Sequence, residues 1–413
     1  MSVYVKNIIK EAKKSSFLLG RLSSKKKNIV LRVMAKAISL NRGYIISQNE
    51  LDLKKARKEG LDQSFIDRLT LDDKRIEEMS MSLKAVARLP DPVGKIITSN
   101  LRPNKMKIDK VRVPLGVVLI IYEARPNVTS DCIGLLFKTS NIGILRGGSK
   151  AMATNIAIGT VLKKSLRKAG IDFSPFFVVD RPQYSITEEL LKQKEGIDLV
   201  IPRGGEALIK KVTESSQIPV IKHYKGVCHI YVDKKADLSK AVDISVNAKT
   251  QRVSVCNAAE TILVHKACAV SFLPLLEKKL AEKKVEVRAC PQSFKILDKA
   301  KKAKKSDWSQ EYLSLTVSVR VVESLSQAVS HINYYGSGHT DSIITEDKNR
   351  AARFLKEVDS ACCFHNLSTR FSDGYQFGLG AEIGISTDKL HARGPMGLEE
   401  LTTYKWIGKG NGQ

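Results

Sequence analysis

Short β-branched runs set between longer amphipathic stretches restrict this chain more than any other feature. From residue 116 onward "GVVLIIY", "NIGILRGG", "PFFVVD", "DLVIPRGG" and "IPVIKH" alternate with "TSDCIGLLFKTS", "AMATNIAIGTVLKKSLRKAG" and "EALIKKVTESSQ". Strands that are apolar along their whole length must be covered on both faces, and intervening helices are the usual cover. The pattern therefore predicts an α/β chain with a doubly wound parallel sheet. Residues 1–93 read as helices that stop at "LPDPVG", and "KIITSNLRPNKMKIDKVRV" reads as an extended hairpin arm turning near "RPNK". After about residue 226 a second α/β block begins: "ADLSKAVDISVNAKTQ" as helix, "AETILVHK" and "LSLTVSVRVV" as strands, "LSQAVSHINYY" as helix. A chain of 413 residues is too long for one ordinary core. The predicted division is 1–93 with 114–226, then 227–395, with a small arm from 94–113 and 396–413.

Ligands of open α/β sheets bind beyond the carboxyl ends of strands, where helix N-termini present unpaired N–H groups. Two predicted strands end in glycine pairs, Arg146-Gly147-Gly148-Ser149 and Arg203-Gly204-Gly205, the second leading into "EALIKKV". These turns would let backbone approach a phosphate; a plain strand-to-helix turn explains the same glycines. No GxGxxG occurs, so the ordinary dinucleotide fingerprint is absent. Cys256, in "QRVSVCNAAE", falls in the loop between a predicted helix and strand. It reads either as a small buried hydrophobe or as a nucleophile whose thiolate the nearby cations Lys249 and Arg252 favour.

Other classes are disfavoured. The seven cysteines form no CxxC pair, which argues against a disulfide framework or a zinc site and for a reducing cytoplasm. No apolar run approaches the roughly 18 residues of a membrane span, and "MSVYVKNIIKEAKKSS" lacks a signal peptide's apolar region. The balance of 69 basic against 43 acidic residues gives +26, which favours anionic ligands, nucleic acid included. The lysines are spread over helical patterns and aromatics make up only 6%. This fits solvated helix faces better than an RNA-binding surface.

Longer strings carry a resemblance. "VRVPLGVVLIIYEARPNVTSD", "ILRGGSKA", "IPRGGEALIKKV", "NAKTQRVSVCNAAETILVH", "DWSQEYLSL", "INYYGSGHTDSIITED" and "STRFSDGYQFGLGAEIGISTDKLHARGPMGLEELTTYK" run in order along nearly the whole chain. In these segments the chain resembles the gamma-glutamyl phosphate reductases, a family of the aldehyde dehydrogenase superfamily. The resemblance implies an aldehyde dehydrogenase-like fold: a doubly wound NADP(H)-binding domain, an α/β catalytic domain and a small oligomerisation arm pairing between subunits. It implies NADPH-dependent reduction of L-glutamyl 5-phosphate to L-glutamate 5-semialdehyde with release of phosphate. This is a proline-biosynthesis step through a Cys256 thioester, with functional coupling to a glutamate kinase.

Residue by residue, the resemblance makes Cys256 the nucleophile and Asn127 an oxyanion donor together with the Cys256 N–H. It puts His223 where acid-forming relatives carry a water-activating glutamate; a structural histidine is the alternative. Arg146, Gly147, Gly148, Ser149, Arg203, Gly204, Gly205 and Glu311 would surround the cofactor, with Arg146 forking onto a 2′-phosphate. Arg125, Arg252, Ser368, Thr369 and Arg370 would surround the substrate, Arg370 gripping its α-carboxylate unless it pairs with Asp373. The chain departs from the family at Val253, where proline is usual. A catalytically weakened nucleotide-binding homologue and a basic RNA-binding protein are the alternative functions.

Overall fold

The computed structural model describes residues 1–123 and 125–412. The chain divides into two compact units: Met1–Lys222 with Gly378–Gly384 and Met396–Gln413, and His223–Phe377 with Ile385–Pro395. The chain crosses after Lys222 rather than after residue 226. The reason is that residues 226 and 227 are held by the second unit, with Gly226 N–H on Glu311 and Val227 N–H on Ser337 Oγ.

The first unit opens with five helices, α1 (Val3–Leu19), α2 (Ser24–Leu40), α3 (Arg42–Lys58), α4 (Gln63–Leu69) and α5 (Asp73–Arg88). Local sequence starts most of them: Ser2, Ser23, Asp62 and Asp72 each accept a backbone N–H of the first turn, satisfying a donor the helix cannot. α1 buries Val5, Ile8, Ala12 and Leu19, the spacing of one helical face.

A hairpin follows, β1 (Ile96–Leu101) and β2 (Lys107–Pro114), turning through Lys105 at φ 64°. The C-terminal strand Thr402–Lys409 pairs antiparallel along all of β2, from Thr402 opposite Pro114 to Lys409 opposite Lys107. The hairpin and the C-terminal segment form one three-stranded sheet within the chain, with β2 in the middle.

The doubly wound part comprises β3 (Val117–Tyr122), α6 (Asn127–Lys138), β4 (Ile142–Gly147), α7 (Met152–Lys168), β5 (Phe176–Val178), α8 (Tyr184–Leu191), β6 (Leu199–Arg203) and α9 (Glu206–Ser215). Its strands are parallel in the order β5-β4-β3-β6, so the winding reverses between β3 and β6. Every residue of β3 and β4 is buried, as two-sided cover requires. "IPVIKH" is not a strand: Val220 makes only an isolated bridge to Val200, beside Pro219, which has no N–H for a ladder.

The second unit carries β7 (Cys228–Val232), α10 (Leu238–Thr250), β8 (Ala259–His265), α11 (Lys266–Glu282), β9 (Glu286–Ala289), α12 (Pro291–Phe294), β10 (Lys301–Lys302), β11 (Thr316–Val322), α13 (Leu325–Tyr335), β12 (Thr340–Ile344), α14 (Lys348–Glu357) and β13 (Cys362–His365). Seven parallel strands lie in the order β10-β9-β11-β8-β7-β12-β13. One core cluster of the unit joins Ile230, Ile262, Phe272, Leu276, Val317 and Val319, from strands β7, β8 and β11 and helix α11. At the carboxyl end of β7 sits a structural ion pair. Arg350 of α14 donates to both oxygens of buried Asp233, which also accept from Tyr231 and Thr345.

Candidate active site

In the second unit, the residues of interest gather at the amino ends of the parallel strands. Cys256 is half-buried in the turn between α10 and β8, where Ala258 N–H closes on Val255 O at 3.1 Å. The turn is clasped at its base by Lys249, the penultimate residue of α10, and Glu260, the second residue of β8. Both side chains are fully buried with Nζ and Oε2 2.5 Å apart. Burial opposes both charges, pushing the Glu260 carboxyl up to about 7 and the Lys249 ammonium down. Lys249 is thus committed to Glu260, and the expectation that its charge serves the Cys256 thiolate is corrected. Glu260 also accepts the Leu313 N–H at 3.3 Å, which ties the Cys256 turn to the segment bearing Glu311.

The stretch entering β7 passes hard against this turn. A Cβ on Gly226 would stand 1.9 Å from the Cys256 carbonyl oxygen, so only glycine fits. The Gly226 N–H donates to Glu311 Oε1 at 2.9 Å, and Cys228 Sγ donates to the Cys256 carbonyl at 3.2 Å. This packing brings His223 to the thiol. It also brings His339, the residue before β12, which the sequence reading did not single out. The His223 and His339 rings meet edge to face with centroids 5.6 Å apart, and their ligating nitrogens and the Cys256 sulfur all lie within 4.8 Å of one another. His339 is buried, with Nδ1 2.8 Å from Thr340 Oγ1. Its quoted neighbourhood, "GSGHTDSI", offered one signal: a polar residue after a Gly-Ser-Gly turn at the start of an apolar strand.

Arg370 reaches the same turn from the other side. Its Nε donates to Gln251 Oε1 at 2.7 Å and its NH1 to Asn257 Oδ1, while Asn257 Nδ2 donates to Ser372 O at 2.7 Å. The guanidinium therefore braces both flanks of Cys256, and its hydrogen bonds go to amides rather than to Asp373. Burial draws it below the usual arginine range, and the charge of Asp373 works against that. Ser368 Oγ accepts the Arg370 N–H, and Thr369 is buried with its hydroxyl unmatched by any protein partner. Arg252 is exposed. Of the other cysteines, burial pushes Cys132 up to about 12, Cys268 and Cys363 up to about 11, and Cys228 well above the ordinary thiol.

In the first unit the corresponding residues lie at the carboxyl ends of strands. Asn127 begins α6 and its Nδ2 donates to Asp131 Oδ2 at 3.1 Å; burial holds that carboxyl above the usual range. Arg125, half-buried, precedes it. At the switch point Glu123 N–H donates to Arg203 O, and the Gly205 N–H at the head of α9 donates to Glu123 Oε2 at 3.2 Å. Gly205 has open space where a Cβ would be, while Gly204 packs on the Glu123 side chain and Arg203 on Gly384. Gly147 is needed for another reason: a Cβ there would run into Asn155 of α7. Gly148 and exposed Ser149 carry the chain past the end of β4. Arg146 corrects an expectation. It is 7% exposed and donates to Thr187 Oγ1, Gly147 O and Pro182 O, so its fork is used inside the protein and does not face a 2′-phosphate.

The sequence model of the aldehyde dehydrogenase family matches residues 2–301, and the chain belongs to that family. It is 52% identical over 409 residues to the gamma-glutamyl phosphate reductase of Thermodesulfovibrio yellowstonii, covering 99% of this chain and 98% of that one. The Geobacter metallireducens enzyme of the same name is 49% identical with the same coverage. The crystal structure of gamma-glutamyl phosphate reductase from Thermotoga maritima superposes with a TM-score of 0.96 at 41% identity, covering 99% of both chains. Within the aldehyde dehydrogenases, the chain belongs to the gamma-glutamyl phosphate reductases.

Proposed function

We propose that this chain reduces L-glutamyl 5-phosphate to L-glutamate 5-semialdehyde, releasing phosphate, as its relatives' name describes. The observation that carries the reading is the half-buried Cys256 thiol, held in a braced turn beside His223 and His339. Cys256 Sγ attacks the acyl carbon, the carbon–oxygen bond to phosphate breaks, and a thioester remains. The Cys256 N–H stabilises the oxyanion of each tetrahedral species, and the family resemblance assigns the second donor to Asn127; losing one such donor costs roughly 3–4 kcal/mol. Reduced nicotinamide, when bound, supplies the hydride that the thioester carbon accepts. The oxyanion left by hydride transfer re-forms the carbonyl as the carbon–sulfur bond breaks, releasing the semialdehyde and restoring the thiolate, with His223 beside it to hand back a proton. With histidine rather than a carboxylate at this place, the thioester is kept for reduction rather than hydrolysis.

The dinucleotide fits the first unit at the switch point. The Gly205 N–H at the head of α9 already takes an anionic oxygen, that of Glu123, so it suits a phosphate oxygen equally. Gly204, Gly205, Gly148 and Ser149 would line that group, and Glu311 would hold the nicotinamide ribose. We assign NADPH preference to Lys150, half-buried beside Glu59, in place of Arg146. Thr369, Ser368 and Arg125 would meet the substrate, and Arg252, exposed near the thiol, its phosphate. Arg370 braces the turn and turns a remaining N–H toward the α-carboxylate.

No helix among the described residues is long and apolar enough to cross a membrane, and we place the chain in the cytoplasm with its substrates. An acyl phosphate hydrolyses readily, which favours direct transfer from the glutamate kinase that makes it. Tyr404 and Trp406 on the C-terminal strand and Leu101 on β1 are exposed, and we assign the arm to pairing between copies. The test is the reaction run backwards: NADP+ reduction by the semialdehyde that requires inorganic phosphate. Turnover without phosphate, or none with it, overturns the reading.

A further inference from the structure

We propose that His223, Cys256 and His339 form a binding site for a Zn2+-class cation, and that occupancy withdraws the Cys256 thiolate from chemistry. The second half rests on the function proposed above; the first half does not. The donor set argues for this class of metal. One thiolate and two imidazoles suit Zn2+ and Co2+, whereas Mg2+ and Ca2+ require hard oxygen donors. The three donors come from three segments that the sheet itself brings together: one ahead of β7, one ahead of β8 and one ahead of β12. Their ligand atoms lie within 4.8 Å of one another, against about 3.5 Å for tetrahedral bonds of ~2.0–2.3 Å, so the half-buried His223 and Cys256 side chains would rotate toward His339 on binding.

The Thr340 hydroxyl suits the tautomer a metal needs at His339. A cation selects the tautomer in which His339 Nδ1–H donates to Thr340 Oγ1, 2.8 Å away, and Nε2 carries the lone pair. Such an anchored ring is the usual form of a metal-bound histidine. Three protein ligands leave a fourth position for water. Binding displaces the thiol proton to solvent and forms a sulfur–metal bond with no change of oxidation state. The lone pair that would attack the acyl carbon is then spent on the metal. The Arg370 guanidinium, which feels the Cys256 charge, opposes a cation here. The site is therefore one that fills reversibly when free Zn2+ rises, unlike a permanent structural centre. Cysteine-spacing rules miss it because the ligands are distant in sequence.

The experiment titrates CoCl2 into the full-length protein and follows the thiolate-to-Co2+ charge-transfer absorption, then displaces Co2+ with ZnCl2. One equivalent should generate the band and Cys256→Ser should abolish it. His223→Asn and His339→Asn should each weaken binding by about 100-fold, the upper end of what losing even an outer hydrogen-bond partner costs. Zn2+ should also slow alkylation of Cys256 by iodoacetamide at least tenfold. Thermal melting checks that each variant folds, and half-buried His223 is the safer of the two histidines to change. A native chain with no band, or a band of undiminished affinity in folded His223→Asn, overturns the proposal. Alkylation unaffected by saturating Zn2+ overturns its second half. If Cys256→Ala keeps full turnover while the Co2+ band is present, the proposed function fails and the metal site stands. A missing band with turnover lost in Cys256→Ala has the reverse meaning.

Discussion

The two units are both parallel α/β sheets, yet they present their candidate functional residues at opposite ends of their strands. In the first, Glu123, the Gly147–Gly148 turn and the Gly204–Gly205 turn follow β3, β4 and β6. In the second, Gly226, Cys256, Glu311 and His339 precede β7, β8, β11 and β12. Carboxyl ends feed helix N-termini, which suit phosphates and need little beyond glycine and backbone N–H. A nucleophile asks for different surroundings: side chains converging on one atom and a fixed turn. At its amino ends the second sheet supplies these through the buried Lys249–Glu260 clasp, the Gly226 approach and the Arg370 brace. The carboxyl end of β7, where the first unit's rule would point, is closed by the Asp233–Arg350 pair.

The sharpest way to break this contrast is Cys256→Ala. We expect turnover to fall by about 10^4-fold or more, the scale of removing a covalent nucleophile, and alanine at the other six cysteines to leave it within tenfold. Loss of activity from a buried cysteine alone would remove the amino-end cluster from the chemistry. Next comes the first unit's own contribution. Asn127→Ala should lower kcat by about 10^2–10^3-fold with an unchanged melting profile; a change confined to KM would make Asn127 a binding residue only.

Arg370→Met tests the brace. It removes two hydrogen bonds from a charged donor, at roughly 1.5–3 kcal/mol each. It should reduce kcat/KM by about 100-fold and speed proteolysis within residues 250–258. Unchanged protease sensitivity would mean that the turn stands without Arg370.

A pH experiment separates the units by stability. His331, buried in the second unit with Nδ1 facing Arg320 NH1, is lowered to about 2 by burial, with His229 and Arg320 adding to the effect. A depressed base contributes stability that is complete above its unfolded value of about 6.5 and is lost as pH falls toward the folded value. Denaturant unfolding between pH 6 and 4.5 should lose about 1.4 kcal/mol per pH unit from this group, and His331→Gln should flatten that slope. An equal slope in both proteins would place the acid sensitivity elsewhere. The smallest effect is expected at Val253. Among the described residues six non-glycine positions have positive φ and Val253 is not one of them, so Val253→Pro should fit and change turnover by less than about tenfold.

The alternation of apolar runs and helices was legible because it is a property of each segment: β3, β4, β6, β8 and β11 lie where the sequence put strands. The loop bearing Cys256 was legible for the same reason. His339 was not, because its nearness to Cys256 comes from strand order, with β12 and β8 both paired to β7, and no local pattern encodes that. Arg146 was misjudged because a basic residue before glycines looks the same whether its guanidinium faces solvent or Thr187 and Pro182. Lys249 likewise stands near Cys256 in sequence, and only the register of α10 against β8 turns it onto Glu260.

The three-stranded arm has a consequence for how the protein is made. β2 is its central strand, and the partner for one of its edges, Thr402–Lys409, is synthesised long after it. At ~5–20 residues per second, a ribosome takes roughly 15–60 seconds to travel from one to the other. Throughout that time β2 presents a row of unpaired N–H and C=O groups, with a neighbouring nascent chain on the same message as the nearest source of a strand. Lys107, Lys110 and Arg112 lie along β2, and like charge on every copy keeps such edges apart until Thr402–Lys409 arrives.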